Sequence, residues 1–530
     1  AFVSSPPPPP ASCKSPRLFS WNHERMALST AAELFARSHA VALKCLYHPF
    51  VYGLASGKLP QAAFQNYVGQ DFFFLHSFSD AYIKAGSIAR EKGDSKGAEK
   101  FASLANGVAE ELKLHESYAA KWGVDLRKVE AQEATLRYVR FLQDTAASQQ
   151  RISVICAAMA PCMRLYAFLG QSLQKGLPQG VEGNPYQEWV ESYRSEDFEG
   201  LAVTLEELLN DYAQQESTTV GDLEEHFNKA MDLEFAFFDA QPGVRDSVSV
   251  PLLDPKAFAV DFDQTITEED TSAVIAAASR DALPSEEERA ARNSRWDALA
   301  EGFFARYEAQ LQGLMPAGGG RGGYDPEGLG KFCEGMSKFD REALAPVEKG
   351  GFLSGVSKDA LQAAAKTVVL RPSSLATLHA AGTRGAKLHV VSVNWSQDFI
   401  RGALAGCPQF ELHSPDLVFE SGLSTGRLVP EGIAGSVDKE QVLDGICAAG
   451  GGTCVYVGDS LTDVLALLRA DVGIIVGSSG SLRRVCEAFG VSLRPLIGSV
   501  LSAGGEREKG VLYVALSWDD ISLALYGATQ

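Results

Sequence analysis

The residues best equipped for chemistry begin in AVDFDQTIT, Ala259 to Thr267. The apolar run Lys256–Val260 reads as a buried strand that ends in Asp261, with Asp263 two residues on and a Thr two after that. Two carboxylates this close repel each other, and each pushes the other's pKa up. Further polar residues follow the same pattern. KLHVVSV carries Ser392 at its tip, TCVYVGDSLTD carries Asp459 with Asp463 one helical turn later, and SVDKEQVL places Lys439 near a helix start. Ligands of open α/β sheets bind beyond the carboxyl ends of the strands. Four acids, a hydroxyl and an ammonium are therefore expected to meet in one crevice. Mg²⁺ relieves such crowding, since it takes oxygen ligands from a few carboxylates and phosphate. The chemistry this set supports is phosphoryl transfer. Asp261 attacks phosphorus to give an aspartyl-phosphate. Asp263 protonates the leaving oxygen and then activates water. Ser392 and Lys439 bind the phosphoryl oxygens. Lys387 also lies near the Ser392 strand; chain order favours Lys439.

A second group of polar residues sits where apolar ones belong. In AAFQNYVGQDFFFLHSFSDAYIKA, Asp71 falls within the apolar stripe of a helix, and in DLEEHFNKAMDLEFAFFDA so does Glu234. Buried acids are costly unless paired or bound to a ligand. VICAAMAPCMRLYAFLG is apolar nearly all round, which makes it a central helix; it carries Cys162 after Pro161, and Tyr166 one turn on. Taken singly, Cys162 is core filler and Asp71 or Glu234 is half of an ion pair. Together they describe a polar pocket inside a helix bundle, with Tyr138 in TLRYVRFL and Tyr193 in WVESYRSEDF as further lining. His48 and His76 stand alone and read as structural.

The elements that must position these residues differ between the two halves. From 27 to 240 the apolar residues recur at helical spacing, with turn signals such as SGKLP and GLPQG, and no segment reads as a strand. Residues 241–256, with Pro at both ends, form the linker. From 257 to 530 short β-rich runs (AFAV, KLHVVSV, TCVYVG, DVGIIVG) alternate with helical stretches, the pattern of an α/β domain with a mostly parallel sheet. An insert from about 272 to 367 follows the first strand; it is largely helical, contains the loop PAGGGRGG, and reads as a cap. The chain carries no internal repeat.

Composition narrows the class. At 530 residues the chain is expected to hold more than one domain. A net charge of −19 argues against a general nucleic-acid binder. No uninterrupted run of about 18 apolar residues is present, so no membrane span is expected. The nine cysteines are scattered and fit reduced thiols better than a disulfide framework or a zinc site. Residues 1–26 are rich in Pro and Ser, basic, and free of acid before Glu24. They read as a disordered tail or as the remnant of an organelle transit sequence. The start at Ala suggests trimming, and Met26 would serve as an internal start for an untargeted form.

DFDQT, Ser392, Lys439 and GDSLTD, in that order, resemble the four motifs of the haloacid-dehalogenase-like (HAD) phosphatases over about 257–525. That resemblance implies Asp261 as nucleophile and Asp263 as acid/base. It implies Mg²⁺ on Asp261, the backbone carbonyl of Asp263 and Asp459, with Asp463 in support. It also implies a helical cap, as in the phosphoserine-phosphatase-like branch, that selects small molecules. HPFVYGLASGKLPQAAFQNYVGQDFFFL, APCMRLYAFLG, WVESYRSEDF and DLEFAFFDA resemble the TenA family of thiaminase II and aminopyrimidine aminohydrolases over most of 27–240. Here the resemblance implies Cys162 as the nucleophile toward the pyrimidine ring and Glu234 as acid/base. Asp71 would bind the aminopyrimidine edge, and Tyr138, Tyr166 and Tyr193 would line the pocket. Phe74 stands where the family often has Tyr, which puts substrate choice in question. Relatives of this kind form homo-oligomers, and the helical half is expected to do so. The order of the halves is similar to the plant bifunctional family that joins a TenA domain to a thiamin-monophosphate phosphatase. That family implies a mitochondrial hydrolase acting on thiamin monophosphate and on aminopyrimidines. The rival is a phosphatase for another small ester, with the helical half as a binding or oligomerisation module.

Overall fold

The computed structural model describes residues 28–316, 323–429, 432–504 and 508–527. The transit-like tail 1–26 and most of the PAGGGRGG loop lie outside the described residues. The chain divides into two compact units, one helical and one α/β.

The helical unit is built on the long helices Gln61–Glu91, Ser95–Lys121, Glu133–Ser148, Ile152–Gly176, Glu196–Gln215 and Val220–Asp239. Their starts are encoded locally. Asp94 accepts the amide of Gly97, Ser195 accepts that of Phe198, and Thr219 with Asp222 forms a reciprocal capping box. Ile152–Gly176 is the central helix. By length and composition alone it is apolar enough to cross a membrane, but most of it is buried within this unit. No strand occurs among the described residues of 28–240.

The end of the chain departs from the boundary read in the sequence. Residues 494–504 and 513–527 cluster with the helical unit, not with the α/β unit. Tyr47 donates a hydrogen bond to Asp520 at 2.7 Å, and the amide of Leu253 donates to the carbonyl of Ala524 at 3.1 Å. The terminal helix Trp518–Tyr526 buries Trp518, Ile521 and Leu525. Periodicity says that such a helix has an apolar face, not which core the face joins.

The strands are β1 (Ala257–Val260), β2 (Ser354–Ser357), β3 (Lys387–Val391), β4 (Glu411–His413), β5 (Leu417–Glu420), β6 (Leu423–Leu428), β7 (Cys454–Gly458), β8 (Val472–Val476), β9 (Ser492–Pro495) and β10 (Val511–Ala515). The large sheet has the order β4-β3-β1-β7-β8-β10-β9. β1 is central and pairs in parallel with both β3 and β7, Ala257 standing opposite Lys387 on one side and Cys454 on the other. All four of its residues are buried, as expected for an apolar strand covered on both faces. The insert between β1 and β3 holds the helices Ser272–Asp281, Glu286–Leu314, Pro326–Lys349 and Lys358–Ala365. It is not wholly helical: β2 joins β6 and β5 in a separate three-stranded antiparallel sheet. Cys447 and Cys454 form a disulfide between the helix Ser436–Gly450 and the start of β7, which the expectation of reduced thiols did not include.

Candidate active sites

The strand ends bring Asp261, Asp459, Asp463 and Lys439 together, while Ser392 does not line the cavity beside them. The amide of Asp261 donates to the carbonyl of Val457 at 2.9 Å, so β1 and β7 stay paired one residue past the strand. Lys439, fully buried, lies between two carboxylates, 2.8 Å from Asp261 and 2.7 Å from Asp463. Asp463 is saturated. One oxygen takes Lys439 and the hydroxyl of Tyr456 at 2.7 Å; the other takes the amides of Asp459 and Ser460 and the Ser460 hydroxyl. Its role is to hold the ammonium beside Asp261. Burial pushes the Asp261 carboxyl up to about 7; Lys439 opposes this, and Asp463 and Asp263 add to it. Lys387, the other candidate, is exposed at the opposite end of β3 from Ser392.

Asp263 is held by the amide and hydroxyl of Thr271 at 2.8 and 2.6 Å and by the side-chain amide of Asn394 at 2.9 Å. Burial raises its pKa, and these three bonds pull it back. Ser392 is fully buried, and its hydroxyl accepts the amide of Asn394 at 3.0 Å. The hydroxyl of Thr265 donates to Asp459 at 3.2 Å. Gln264 has φ +55°, a left-handed turn that reverses the chain directly after the acids, and Arg371 secures it through the Gln264 carbonyl at 2.9 Å. Asn394, Thr271 and Arg371 were not singled out in the sequence. Asn394 lies only two residues beyond Ser392; Arg371 carries no local signal.

Asp261, Asp459 and Asp463 each offer a carboxylate oxygen within 4.8 Å of the others. The set fits a hard cation: oxygen donors, net negative charge and deep burial. With Asp463 already saturated, Asp261 and Asp459 are the carboxylates of this set left to hold Mg²⁺. A cavity of about 420 Å³ opens above them. Its far wall comes from the insert and includes Trp296, Phe303, Tyr307 and Asp340, with Trp395 from the loop after β3. Burial, and the nearby charge of Asp438, push the Asp340 carboxyl up to about 7.

In the helical unit a second cavity of about 400 Å³ is lined by Asp71, Phe74, Tyr138, Cys162, Tyr166, Tyr193 and Glu234 together. Glu234 is only 2% exposed and accepts the hydroxyl of Tyr138 at 2.7 Å. Burial pushes its carboxyl up to about 8, against the hydrogen bonds of Tyr138, Cys162 and Tyr166. The Cys162 thiol is itself raised by burial, then by the charges of Glu234, Asp71 and Glu111. It is therefore a thiol at neutral pH, and to act as a nucleophile it would need a base to take its proton. Glu234 is its hydrogen-bond partner. Asp71 lies 3.9 Å from His115 Nδ1, while His115 Nε2 donates to the carbonyl of Val68 at 2.8 Å. Phe74 packs its ring 4.7 Å from that of Tyr138. Tyr193 reaches the pocket because Gly170 has no side chain: a Cβ there would lie 2.6 Å from the Tyr193–Arg194 backbone. Glu111 and His115 were missed in the sequence, since both lie on a helix with an otherwise ordinary polar face. His48 caps the helix Pro49–Ser56, and His76 packs edge-on against Phe72, so neither belongs to the pocket.

The profile of the TENA/THI-4/PQQC family matches residues 36–243. The chain is 30% identical to the mitochondrial bifunctional TH2 protein of Arabidopsis thaliana, over 92% of this chain and 88% of that one. It is also 30% identical to the aminopyrimidine aminohydrolase of Halalkalibacterium halodurans, over 40% of this chain and 95% of that one. Among solved structures, a phospho-aspartyl intermediate analogue of phosphoserine phosphatase aligns at 18% identity, covering 44% of this chain and 90% of that one, with a TM-score of 0.28. The chain belongs to the family of the bifunctional TH2 protein, in which a TenA domain is fused to a second domain.

Proposed function

We propose, with that membership as premise, that the α/β half hydrolyses thiamin monophosphate and the helical half hydrolyses aminopyrimidine products of thiamin breakdown. One observation carries the first assignment. The wall facing the acid cluster combines aromatic rings with a half-buried acid, Asp340. Thiazolium is a flat cation, and aromatic faces with a carboxylate attract such a group. A cavity of about 420 Å³ also lies in the range of small-molecule sites.

In this reading Asp261 attacks phosphorus through the carboxylate oxygen not paired with Lys439. Asp263 gives its proton to the departing alkoxide and later takes one from water. Ser392 and Lys439 hold the phosphoryl oxygens. Bound Mg²⁺ would supply charge neutralisation at the phosphate. In the helical half, Glu234 takes the thiol proton as Cys162 adds to the pyrimidine ring and gives it to the leaving amine; water then adds in the amine's place with Glu234 accepting its proton, and the ring–sulfur bond breaks as that proton returns to the thiolate. Asp71 binds the amino edge, and Tyr138, Tyr166 and Tyr193 shape the pocket. The mitochondrial address of the Arabidopsis relative supports a mitochondrial location, with the tail 1–26 as its signal. We assign a helical domain over 27–240 and an α/β domain beginning at 257, joined by the linker 241–256, with residues 494–504 and 513–527 belonging to the helical unit. A homo-oligomer through the helical half completes the proposal; light scattering checks it.

The test is phosphate release with Mg²⁺ across a panel of phosphate esters, for wild type and Asp261→Asn. A preference for thiamin monophosphate that the substitution abolishes is expected. Equal release from many esters would discard this substrate while keeping the chemistry. Hydrolysis of an aminopyrimidine, lost in Cys162→Ser, tests the other half.

A further inference from the structure

A third group of ligating side chains lies outside both sites, at one edge of the large sheet. β4 is the edge strand and runs parallel to β3, with His389 opposite Glu411 and Val391 opposite His413. Residues two apart on a strand share a face. His389, Glu411 and His413 therefore project from the same side. Their donor atoms converge. Nδ1 of His389 lies 3.2 Å from Nε2 of His413, and Glu411 Oε2 lies 3.5 Å from the first and 4.0 Å from the second. A tetrahedral ion with bonds of about 2.0–2.1 Å needs donors about 3.3 Å apart. The triangle is close to that size. The side chains grade from 6% exposed at His389 through 29% at His413 to 70% at Glu411, so an ion has a fixed inner ligand and an open approach.

We propose that His389, Glu411 and His413 bind a Zn²⁺-class divalent cation, separate from the acid cluster of the phosphatase site. Two imidazoles and one carboxylate suit zinc and its transition-metal neighbours and do not suit Mg²⁺, which prefers oxygen. Three protein ligands leave a fourth position for water. Lys387, two residues before His389, shares the face and adds positive charge. The site is thus a moderate-affinity surface site, not a closed structural centre. Its consequence is mechanical. The carbonyl of His413 accepts the amide of Ser392 at 2.9 Å, so an ion joining β4 to β3 fastens the strand end that presents Ser392.

Full-length protein without an affinity tag, stripped by a chelator and kept in excess Mg²⁺, is titrated with Co²⁺ and followed by visible absorption. The expected result is tetrahedral d–d bands that saturate at one equivalent. They persist in Asp459→Asn, vanish in His413→Gln and need at least tenfold more Co²⁺ in Glu411→Gln. Glu411 is an exposed residue, so that second variant keeps its fold. Zn²⁺ should also raise the melting temperature of wild type but not of His413→Gln. Absence of bands would leave the two imidazoles as an ordinary hydrogen-bonded pair and overturn the site. So would bands that survive His413→Gln, bands lost in Asp459→Asn, or a thiolate-to-cobalt charge-transfer band.

Discussion

Replacing Tyr138 with Phe isolates the proton chemistry of the helical pocket. Its hydroxyl donates to Glu234 at 2.7 Å, and both groups are almost wholly buried. The bond favours the ionised carboxylate, so it holds the pKa of Glu234 below the value that burial alone would impose. Hydrogen bonds to charged groups contribute about 1.5–3 kcal/mol, and one pKa unit corresponds to about 1.4 kcal/mol. Losing the bond should therefore raise the pKa of Glu234 by about 1–2 units from its position near 8. If Glu234 must be ionised to accept the thiol proton of Cys162, kcat/KM for aminopyrimidine hydrolysis rises with pH through that pKa. Tyr138→Phe should move this rise to higher pH by the same interval while leaving its height largely intact. The assay is kcat/KM against pH for the two proteins, since that ratio reports the free enzyme. A profile that falls uniformly without moving would make Tyr138 a substrate contact only. A rise displaced toward lower pH would refute the assignment of Glu234 as the base.

Three further outcomes follow from the same geometry. Gly170→Ala places a Cβ 2.6 Å from the backbone at Tyr193, so that segment must shift; we expect a loss of about 1–3 kcal/mol in chemical denaturation, with a raised KM in the helical half and unchanged phosphatase activity. Asp463→Asn removes one of the two carboxylates that hold the buried Lys439; the cost should approach the about 3–5 kcal/mol of a broken buried pair, reduced by the remaining contact with Asp261, and phosphatase activity should fall with it. Glu234→Gln should stabilise the protein at alkaline pH. The folded-state pKa of about 8 lies above the ordinary 4.5, so the folded state binds the extra proton, and the wild type loses stability as pH climbs between the two values. The melting-temperature advantage of Glu234→Gln should accordingly open across that window and level off above about 8; an advantage independent of pH would contradict it.

What the sequence made legible was set by the range of the physics involved. β1, β3, β7 and β8 are central, doubly covered strands, and their apolar runs announce them. β4 has only three residues, and β2, β5 and β6 form a small sheet without an apolar run. The β5–β6 hairpin did leave a sign: Ser421 and Gly422, both at positive φ, are the two-residue turn between them. The acids of the α/β cluster were readable because each lies at or shortly after the end of a strand. Arg371 was not, because it reaches the turn at Gln264 across 107 positions of sequence. In the helical half a polar residue inside an apolar stripe revealed Asp71 and Glu234. Glu111 and His115 lie on the more polar helix Ser95–Lys121, where a charged residue attracts no notice in the sequence.

The two pockets solve one problem, a buried carboxylate that must act, in opposite ways. In the α/β half the cluster contains its own counter-ion. Lys439 is 0% exposed and shared by Asp261 and Asp463, and Asp463 spends all its remaining acceptor capacity on Tyr456, Ser460 and the Asp459 amide. Lys439 fixes a positive charge beside Asp261 but leaves its carboxyl near 7, so in the proposed reaction its ionisation for nucleophilic attack would be completed by bound Mg²⁺. Among the described residues of the helical half no lysine or arginine lines the cavity. Glu234 is instead held by neutral donors, and burial leaves its carboxyl near 8. Such a group exchanges a proton at little cost near neutral pH, which suits repeated transfer between a thiol, a ring and an amine. A lysine brought beside Glu234 would depress its pKa and fix it as a carboxylate, improving the first proton abstraction while weakening the return of the proton to the leaving amine. The arrangement around each acid thus follows from whether its step needs a lasting charge or a mobile proton.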